Sequence, residues 1–233
     1  SGGARIRVVD MLRVNTLYVG LNEAVEAARA TFPDLHVEYV NMNSSGLNAQ
    51  QLVASGKVDI AFETLLSTDM QEPTRSIDDF LAVLIPELHG EFVVGIPRNS
   101  ALANKENLTL KDLANERFIL PANRSGEIFR QDFVDACQKV GFYPNVSLVP
   151  TDSAFMFYGS EPHDAIHLLV RVDKKYRPII ADLVKQHTVI RSLTDEKRYI
   201  DSFAVVDPKN DNPVLSFIVD YLIEHANALT EGW

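Results

Sequence analysis

With 233 residues, the chain is long enough for one large or two small domains, each with its own core. Its 46% hydrophobic and 23% charged residues are ordinary for a globular protein, and a formal net charge of −10 excludes a phosphate backbone as partner unless the positive charges cluster. The densest such cluster, Arg171-Val-Asp-Lys174-Lys175-Tyr-Arg177, is short and isolated; no run of about 18 apolar residues offers a membrane span; and a single cysteine, Cys137, excludes an internal disulfide or a cysteine-rich metal site.

Cys137 falls at an apolar position of a predicted helix, as a buried core thiol does. A chain without disulfides fits the cytosol. Ser1-Gly2-Gly3-Ala4-Arg5 lacks the apolar core of a signal peptide. Ser1–Gly3 reads as a remnant of cloning, with the natural sequence continuing upstream.

The first third of the chain alternates strands and helices. A strand at Ile6–Val9 is followed by a loop and a helix from about Thr16 to Thr31, with Leu17, Leu21, Ala24, Val25 and Ala28 on one face. Phe32-Pro33-Asp34 stops that helix, and a strand runs Leu35–Val40. A polar loop, Asn41–Gly46, leads to a second helix over about Leu47–Ser55, closed by Gly56. Val58–Phe62 is a third strand. A repeating βαβ pattern predicts an α/β fold with a parallel sheet, whose ligands bind at the carboxyl ends of the strands.

A second block begins near His89, with a strand at Phe92–Ile96, a short helix over Leu110–Asn115 capped by Thr109, and a strand at Arg117–Leu120. The loop Pro121–Gly126 precedes a helix over about Glu127–Val140, with Phe129, Phe133, Val134, Ala136, Cys137 and Val140 facing inward. Val146–Val149 is a strand, and Thr151-Asp152-Ser153 caps a short helix through Tyr158. Ala165–Val170 is nearly all apolar, as expected of a strand buried on both faces. Residues 172–186 read as a helix broken or kinked at Pro178. Strands at Thr188–Ile190 and Ser202–Val206, a turn-rich loop and a helix from Pro213 to about Leu229 complete the chain.

Four loops follow strands of the parallel pattern: Asp10–Thr16, Asn41–Gly46, Pro121–Gly126 and Thr151–Ser153. Each leads into a helix, so each offers free backbone N–H groups and the positive end of a helix dipole to a carboxylate, phosphate or polar oxygen. The same Ser, Thr, Asn and Asp residues are also the best helix caps, so a single loop says little, and the case for binding rests on several loops sharing one edge. Arg13 and Arg124 are the candidate anion partners, with Ser125, Thr151 and Asp152 beside them. Glu63-Thr64, just past the third strand, points into the same region.

Catalytic and metal chemistry find little support. His163 and His167 have i, i+4 spacing, but His167 falls on a strand, where four residues span roughly 13 Å, too far for one ion. The other histidines read as surface or core positions. No nucleophile elbow and no glycine-rich phosphate loop is present. No cofactor, metal or enzymatic activity is expected.

Taken in order, several segments resemble a known family. Phe32-Pro-Asp-Leu-His-Val-Glu38 and Gln51-Leu-Val-Ala-Ser-Gly-Lys-Val-Asp-Ile-Ala-Phe62 resemble the effector-binding domain of LysR-type transcriptional regulators. So do Glu91-Phe-Val-Val-Gly-Ile-Pro-Arg-Asn-Ser-Ala-Leu102, Leu108-Thr-Leu-Lys-Asp-Leu-Ala-Asn-Glu-Arg-Phe-Ile-Leu120 and Gln138-Lys-Val-Gly-Phe-Tyr-Pro144. The resemblance implies two Rossmann-like α/β subdomains joined by crossing strands, as in type 2 periplasmic binding proteins. The first would comprise residues 4–87 plus 193–233 and the second 88–192. A small-molecule effector would bind in the cleft between them. DNA would be reached only through a helix-turn-helix domain upstream, and the first helix could serve a homodimer or homotetramer.

Carried over by position, the family's effector contacts fall at Asn15 and Thr16, at Asn43, Ser44 and Ser45, at Glu63 and Thr64, and at Ala122, Asn123 and Arg124. The first loop, Met11–Asn15, is more apolar than the family's usual Ser/Thr-rich one, and Tyr158–Val170 replaces a glycine-rich stretch. With Leu12, Phe155, Phe157 and Tyr158 nearby, this points to an aromatic or partly apolar effector. A periplasmic solute-binding protein for a small anion is the rival reading, decided by whether a signal peptide or a helix-turn-helix lies upstream. An enzyme such as a dehydratase on the same fold is a third, which turnover of a carboxylate would reveal.

Overall fold

The structure, a computed structural model, describes residues 3–9, 19–42, 45–67, 72–122, 124–151, 154–172 and 178–230. The chain divides into two compact units, one of Ser1–Leu65, Met70–His89 and Asp201–Trp233, the other of Leu66–Asp69 and Gly90–Ile200. Residues 193–200, expected in the first subdomain, cluster with the second unit instead, because Leu193 and Ile200 are buried in its core.

In the first unit, β1 (Arg5–Val9) buries Ile6 and Val8 and turns Arg5 and Arg7 outward, the period of two that a half-covered strand requires. Helix α1 (Val19–Thr31) buries Leu21, Ala24, Val25 and Ala28. It ends at Phe32-Pro33 because a residue before proline is driven out of helical geometry. β2 (His36–Val40) pairs parallel with β1, Arg5 opposite His36 and Val9 opposite Val40.

Helix α2 (Ala49–Ala54) starts in a capping box: Asn48 Oδ1 accepts from Gln51 N at 2.8 Å, and Gln51 Oε1 accepts from Asn48 N at 3.0 Å. Gly56, at φ +72°, closes it. The third strand of the sequence reading starts later than expected, as β3 (Ala61–Ser67). Residues 58–60 touch β1 through a single parallel bridge, Val8 to Ile60. The reason is local: the Arg7 N–H is taken by the Asp59 carboxylate at 2.8 Å rather than by a ladder carbonyl.

A hairpin that the sequence reading missed follows, β4 (Thr74–Ile77) and β5 (Phe80–Leu84), paired antiparallel. Its two turn residues, Asp78 and Asp79, have φ of +48° and +69°. That is the left-handed pair a two-residue hairpin turn needs, formed here without the customary glycine. A 3₁₀ turn at Pro86–Leu88 closes this segment.

The second unit is built on β6 (Gly90–Pro97). The expected short helix at 110–115 is a 3₁₀ turn, Lys111–Leu113. Next come β7 (Arg117–Pro121), α3 (Arg124–Lys139), β8 (Asn145–Val149), α4 (Ala154–Gly159), β9 (Ile166–Val172), α5 (Pro178–His187) and β10 (Thr188–Arg191). β7 lies parallel to both β8 and β9, while β6 is antiparallel to β9 and β10. One correction concerns a helix start: α3 begins three residues before the expected Glu127, because serine and glycine cost little in a first turn whose N–H groups are unpaired anyway. α5 begins at Pro178, where a break was expected, proline being suited to the first helical position; residues 173–177 lie outside the described residues.

Both faces of this sheet are covered. Phe92, Val94 and Ile96 of β6 join Phe118, Phe133, Cys137, Ile166 and Leu168 in one buried cluster, and Val93 joins Ile119, Phe157, Ala165, Leu169 and Val184 in another. Burial on two sides is what the apolar run at Ala165–Val170 predicts. Phe157, an expected apolar effector contact, is 2% exposed and belongs to that second cluster.

The chain then returns to the first unit within β11 (Tyr199–Val206), which pairs antiparallel with β5, Phe203 opposite Leu84 and Val206 opposite Leu81. Helix α6 (Pro213–Thr230) packs beside α1 and buries Val214, Leu215, Ile218, Val219, Leu222 and Ala226.

Candidate functional site

In the first unit, the parallel register puts Val9, Val40 and the start of β3 at one sheet edge. The candidates Arg13, Asn15, Thr16, Asn43 and Ser44 follow that edge in the chain and lie outside the described residues. Ser45 is exposed in a tight turn: its N–H donates to Met42 O at 3.0 Å and its Oγ accepts from Leu47 N at 3.2 Å. Gly46, at φ +69°, completes the turn. Part of this loop's polarity therefore serves backbone geometry, while α2 is capped by Asn48 just beyond it.

Glu63 and Thr64, expected just past the third strand, lie inside β3 and are 7% and 8% exposed. Glu63 Oε1 accepts from Thr64 N at 3.2 Å. They sit two and three residues into the strand because β3 starts late and continues through the apolar Leu65 and Leu66.

In the second unit, β7 and β8 end side by side. Pro121 pairs with Val149, and the Ala122 N–H donates to Val149 O at 2.9 Å, which extends the ladder by one step. Ala122 is exposed and Thr151, two residues past β8, is half-buried. Arg124 and Ser125 form the first turn of α3 rather than part of a loop, and nothing further of their side chains is described. Asn123 and Asp152 lie outside the described residues. The unit thus gathers Ala122, Thr151 and the start of a 16-residue helix at one edge, where backbone N–H groups and the helix dipole favour a negatively charged partner.

Beneath that edge lies His167 on β9, paired with Ile119 of β7 and Gly95 of β6. It is 1% exposed, its ring centroid is 5.1 Å from that of Phe157, and neither ring nitrogen has a hydrogen-bond partner. Burial, with a smaller push from His187, lowers its pKa from 6.5 to about 4, so the ring is neutral at physiological pH. His163 stands in a turn at φ +53°, off the strand that carries His167. Among the described residues no three His, Cys, Asp or Glu side chains are placed to hold a metal ion. Cys137 is fully buried, and burial, together with Glu196, pushes its thiol up to about 12.

Two polar arrangements in the first unit went unassigned in the sequence. Asp59, in the Gly56-Lys-Val-Asp59 segment, is clamped by Arg7 and by Asn210 Nδ2 at 3.1 Å. Burial alone would raise its carboxyl; the Arg7 and Asn210 donors outweigh it and hold the group below the ordinary 3.8. Glu87, 2% exposed, pairs with His225 of α6. The one sequence signal for that pair is a glutamate inside the apolar run Leu84-Ile-Pro-Glu-Leu88.

Comparison with known proteins adds to this geometry. The family described as LysR substrate binding domain matches residues 18–157, more than half of the chain. A stretch of 129 residues is 26% identical to the HTH-type transcriptional regulator AlsR of Bacillus subtilis (strain 168). That match covers 55% of this chain and 39% of AlsR, so the chain spans less than half the length of that relative. Among solved structures, the effector binding domain of QuiR in complex with shikimate has a TM-score of 0.63 at 15% identity, covering 97% of this chain and 99% of QuiR's. The BenM effector binding domain with its effector benzoate has a TM-score of 0.61 at 15% identity, covering 100% of this chain and 95% of BenM's. These likenesses show the fold, the α/β arrangement of type 2 periplasmic binding proteins, as the sequence resemblance implies.

Proposed function

The chain belongs to the LysR substrate binding domain family, and on that premise we propose that it is the ligand-sensing part of a longer transcriptional regulator. Its effector is a small carboxylate. What supports this reading is the second unit's edge, where Ala122 and Thr151 follow the carboxyl ends of the parallel strands β7 and β8 and Arg124 lies in the first turn of α3; in the first unit the reading takes Glu63 and Thr64, buried within β3, as contacts. Arg13 and Arg124 supply positive charge. The remaining contacts are Asn15, Thr16, Asn43, Ser44, Ser45, Asn123, Ser125 and Asp152. QuiR binds shikimate and BenM benzoate, both carboxylates built on a six-membered ring, which supports an acidic and partly apolar effector here.

An effector changes the output only if it binds two conformations of the domain unequally. DNA contact is assigned to a helix-turn-helix segment of the longer protein, as in AlsR, described as an HTH-type regulator. The net charge of −10 supports that division of labour. We assign the domain no catalytic activity, a cytoplasmic location and a homodimeric or homotetrameric assembly. No helix among the described residues is long and apolar enough to cross a membrane.

The test is a thermal-shift and calorimetric screen of shikimate, benzoate and related carboxylates. A true effector raises the melting temperature progressively with concentration. Arg124→Ala then weakens its affinity about tenfold, as expected for removing one charge-assisted hydrogen bond, and Thr64→Val weakens it less. If no carboxylate shifts the melting temperature, or both variants bind as tightly as the parent, the assignment fails.

A further inference from the structure

β11 pairs with two strands in turn, and the pairing is interrupted between them: Phe203 lies opposite Leu84 of β5, and Ile200 lies opposite Gly90 of β6. Between these rungs β11 has Asp201 and Ser202, while the facing segment has residues 85–89, whose excess is taken up by the 3₁₀ turn Pro86–Leu88. Like a bulge, such an interruption is a place where the ladder no longer dictates the backbone. Two passages of the chain fall in it. The first unit ends at His89 and resumes at Asp201, and Gly90 and Ile200 belong to the second. Side chains bridge the gap, His89 Nδ1 lying 2.7 Å from Asp201 Oδ1. The Asp201 side chain is fully buried.

The flanks of the gap are held on both sides. Ile85 N–H donates to Ser202 O and Phe92 N–H to Arg198 O, each at 2.8 Å. Ile85 and Leu88 are buried in the core of the first unit, Phe92 and Ile200 in that of the second. A backbone adjustment confined to residues 89–90 and 200–201 therefore disturbs neither core. A buried polar pair is a weak source of stability, and its best-attested use is to fix one geometry. We propose that this interruption is a hinge and that the His89–Asp201 bond is its latch, holding both passages of the chain in one geometry until it opens. The bond needs one donor and one acceptor, whichever group carries the proton. The latch gives the domain a second conformation for a ligand to distinguish, and it stands whatever that ligand is.

Native-state hydrogen exchange of the whole chain tests this. In the unaltered protein the Ile85 and Phe92 amides should exchange through an opening that low urea hardly accelerates, because little surface is exposed. The Val25 amide of α1 and the Val134 amide of α3 should follow the unfolding of their units and respond steeply. His89→Ala should speed exchange at Ile85 and Phe92 about tenfold, as expected for one lost hydrogen bond, and leave Val25 and Val134 nearly unchanged. His89→Asn, whose amide reaches the place of Nδ1, should restore most of the protection. Equal acceleration at all four amides would show that the pair serves overall stability alone and overturns the proposal. So does an unchanged rate at Ile85 and Phe92 in His89→Ala. The unaltered protein decides even where the variant fails to fold: a urea response at these two amides as steep as in the helices also overturns it.

Discussion

Asp59 holds Arg7 at three points: its Oδ2 accepts from the Arg7 backbone N–H at 2.8 Å and from Nε at 3.2 Å, and its Oδ1 accepts from Nη2 at 3.0 Å. Asp59 is 4% exposed, so the contact fixes β1 against the segment that enters β3 through a buried, nearly dry carboxylate. Asp59→Asn keeps the shape and removes the charge, leaving the guanidinium without its counter-ion. A loss of about 3 kcal/mol is expected in urea unfolding at pH 7. The folded-state pKa lies below the ordinary 3.8, so the carboxylate's contribution is fully present above that value and fades as the pH falls below it toward the lowered one. The gap between the two proteins should therefore narrow under acid. A gap unchanged down to pH 2.5 would show that the Asp59 charge does not hold this junction.

His167 also loses stability under acid, but at a higher pH and by refusing a proton rather than by losing an ion pair. Its folded pKa of about 4 lies below the unfolded 6.5, so the unfolded chain takes up a proton that the folded one refuses. Stability therefore falls as the pH drops from 6.5 to 4, by about 3 kcal/mol in all. His167→Leu fills the same space without orphan nitrogens. It should be at least as stable as the parent at neutral pH and should flatten the acid slope. Unfolding midpoints at pH 7.5, 6 and 5 check this, and parallel slopes for the two proteins would refute it.

Gly90 is fixed by packing rather than by backbone angle. A Cβ there would collide with Val170 Cγ1 and lie 2.6 Å from the Arg171 carbonyl oxygen across the β6–β9 ladder. The side chain could turn away; the carbonyl cannot move without breaking the ladder. Gly90→Ala should cost about 2 kcal/mol or more, as overpacking does, and lower the thermal midpoint. Gly56→Ala offers a contrast, because no atom lies within 4 Å of its would-be Cβ and its penalty comes from φ of +72° alone. Comparable losses through unrelated causes are distinguished by methyl NMR, where only the Gly90 variant should shift the Val170 signals.

Most of the architecture could be read from local pattern. The period-two burial of β1, the helix-stopping Phe32-Pro33 and the doubly buried β9 are all short-range signals, and each element formed where its signal lies. The β4–β5 hairpin was opaque because Asp78-Asp79 takes a left-handed turn without the Asn-Gly or Asp-Gly that advertises one. The strand-edge location proposed for the candidate site rests on βαβ order. Which of its side chains are buried was not legible: Glu63 and Thr64 read as loop residues until the Arg7–Asp59 contact delays the start of β3. The Glu87–His225 pair joins residues 138 positions apart, and no local pattern reports a partner at that range.

The first unit is not a contiguous stretch of chain: Gly90–Ile200 of the second unit interrupts it, and its sheet gains β11 and its helical layer gains α6 only afterwards. This imposes an order on biosynthesis. As the chain leaves the ribosome, the second unit has nearly all its residues while β5 still lacks β11 on one side, so a nascent chain halted before Asp201 exposes an apolar strand edge and the bare inner face of α1. Loss of the final segment should thus be far more damaging to folding in the cell than its share of the length suggests, and the hazard would fall on the half that was translated first.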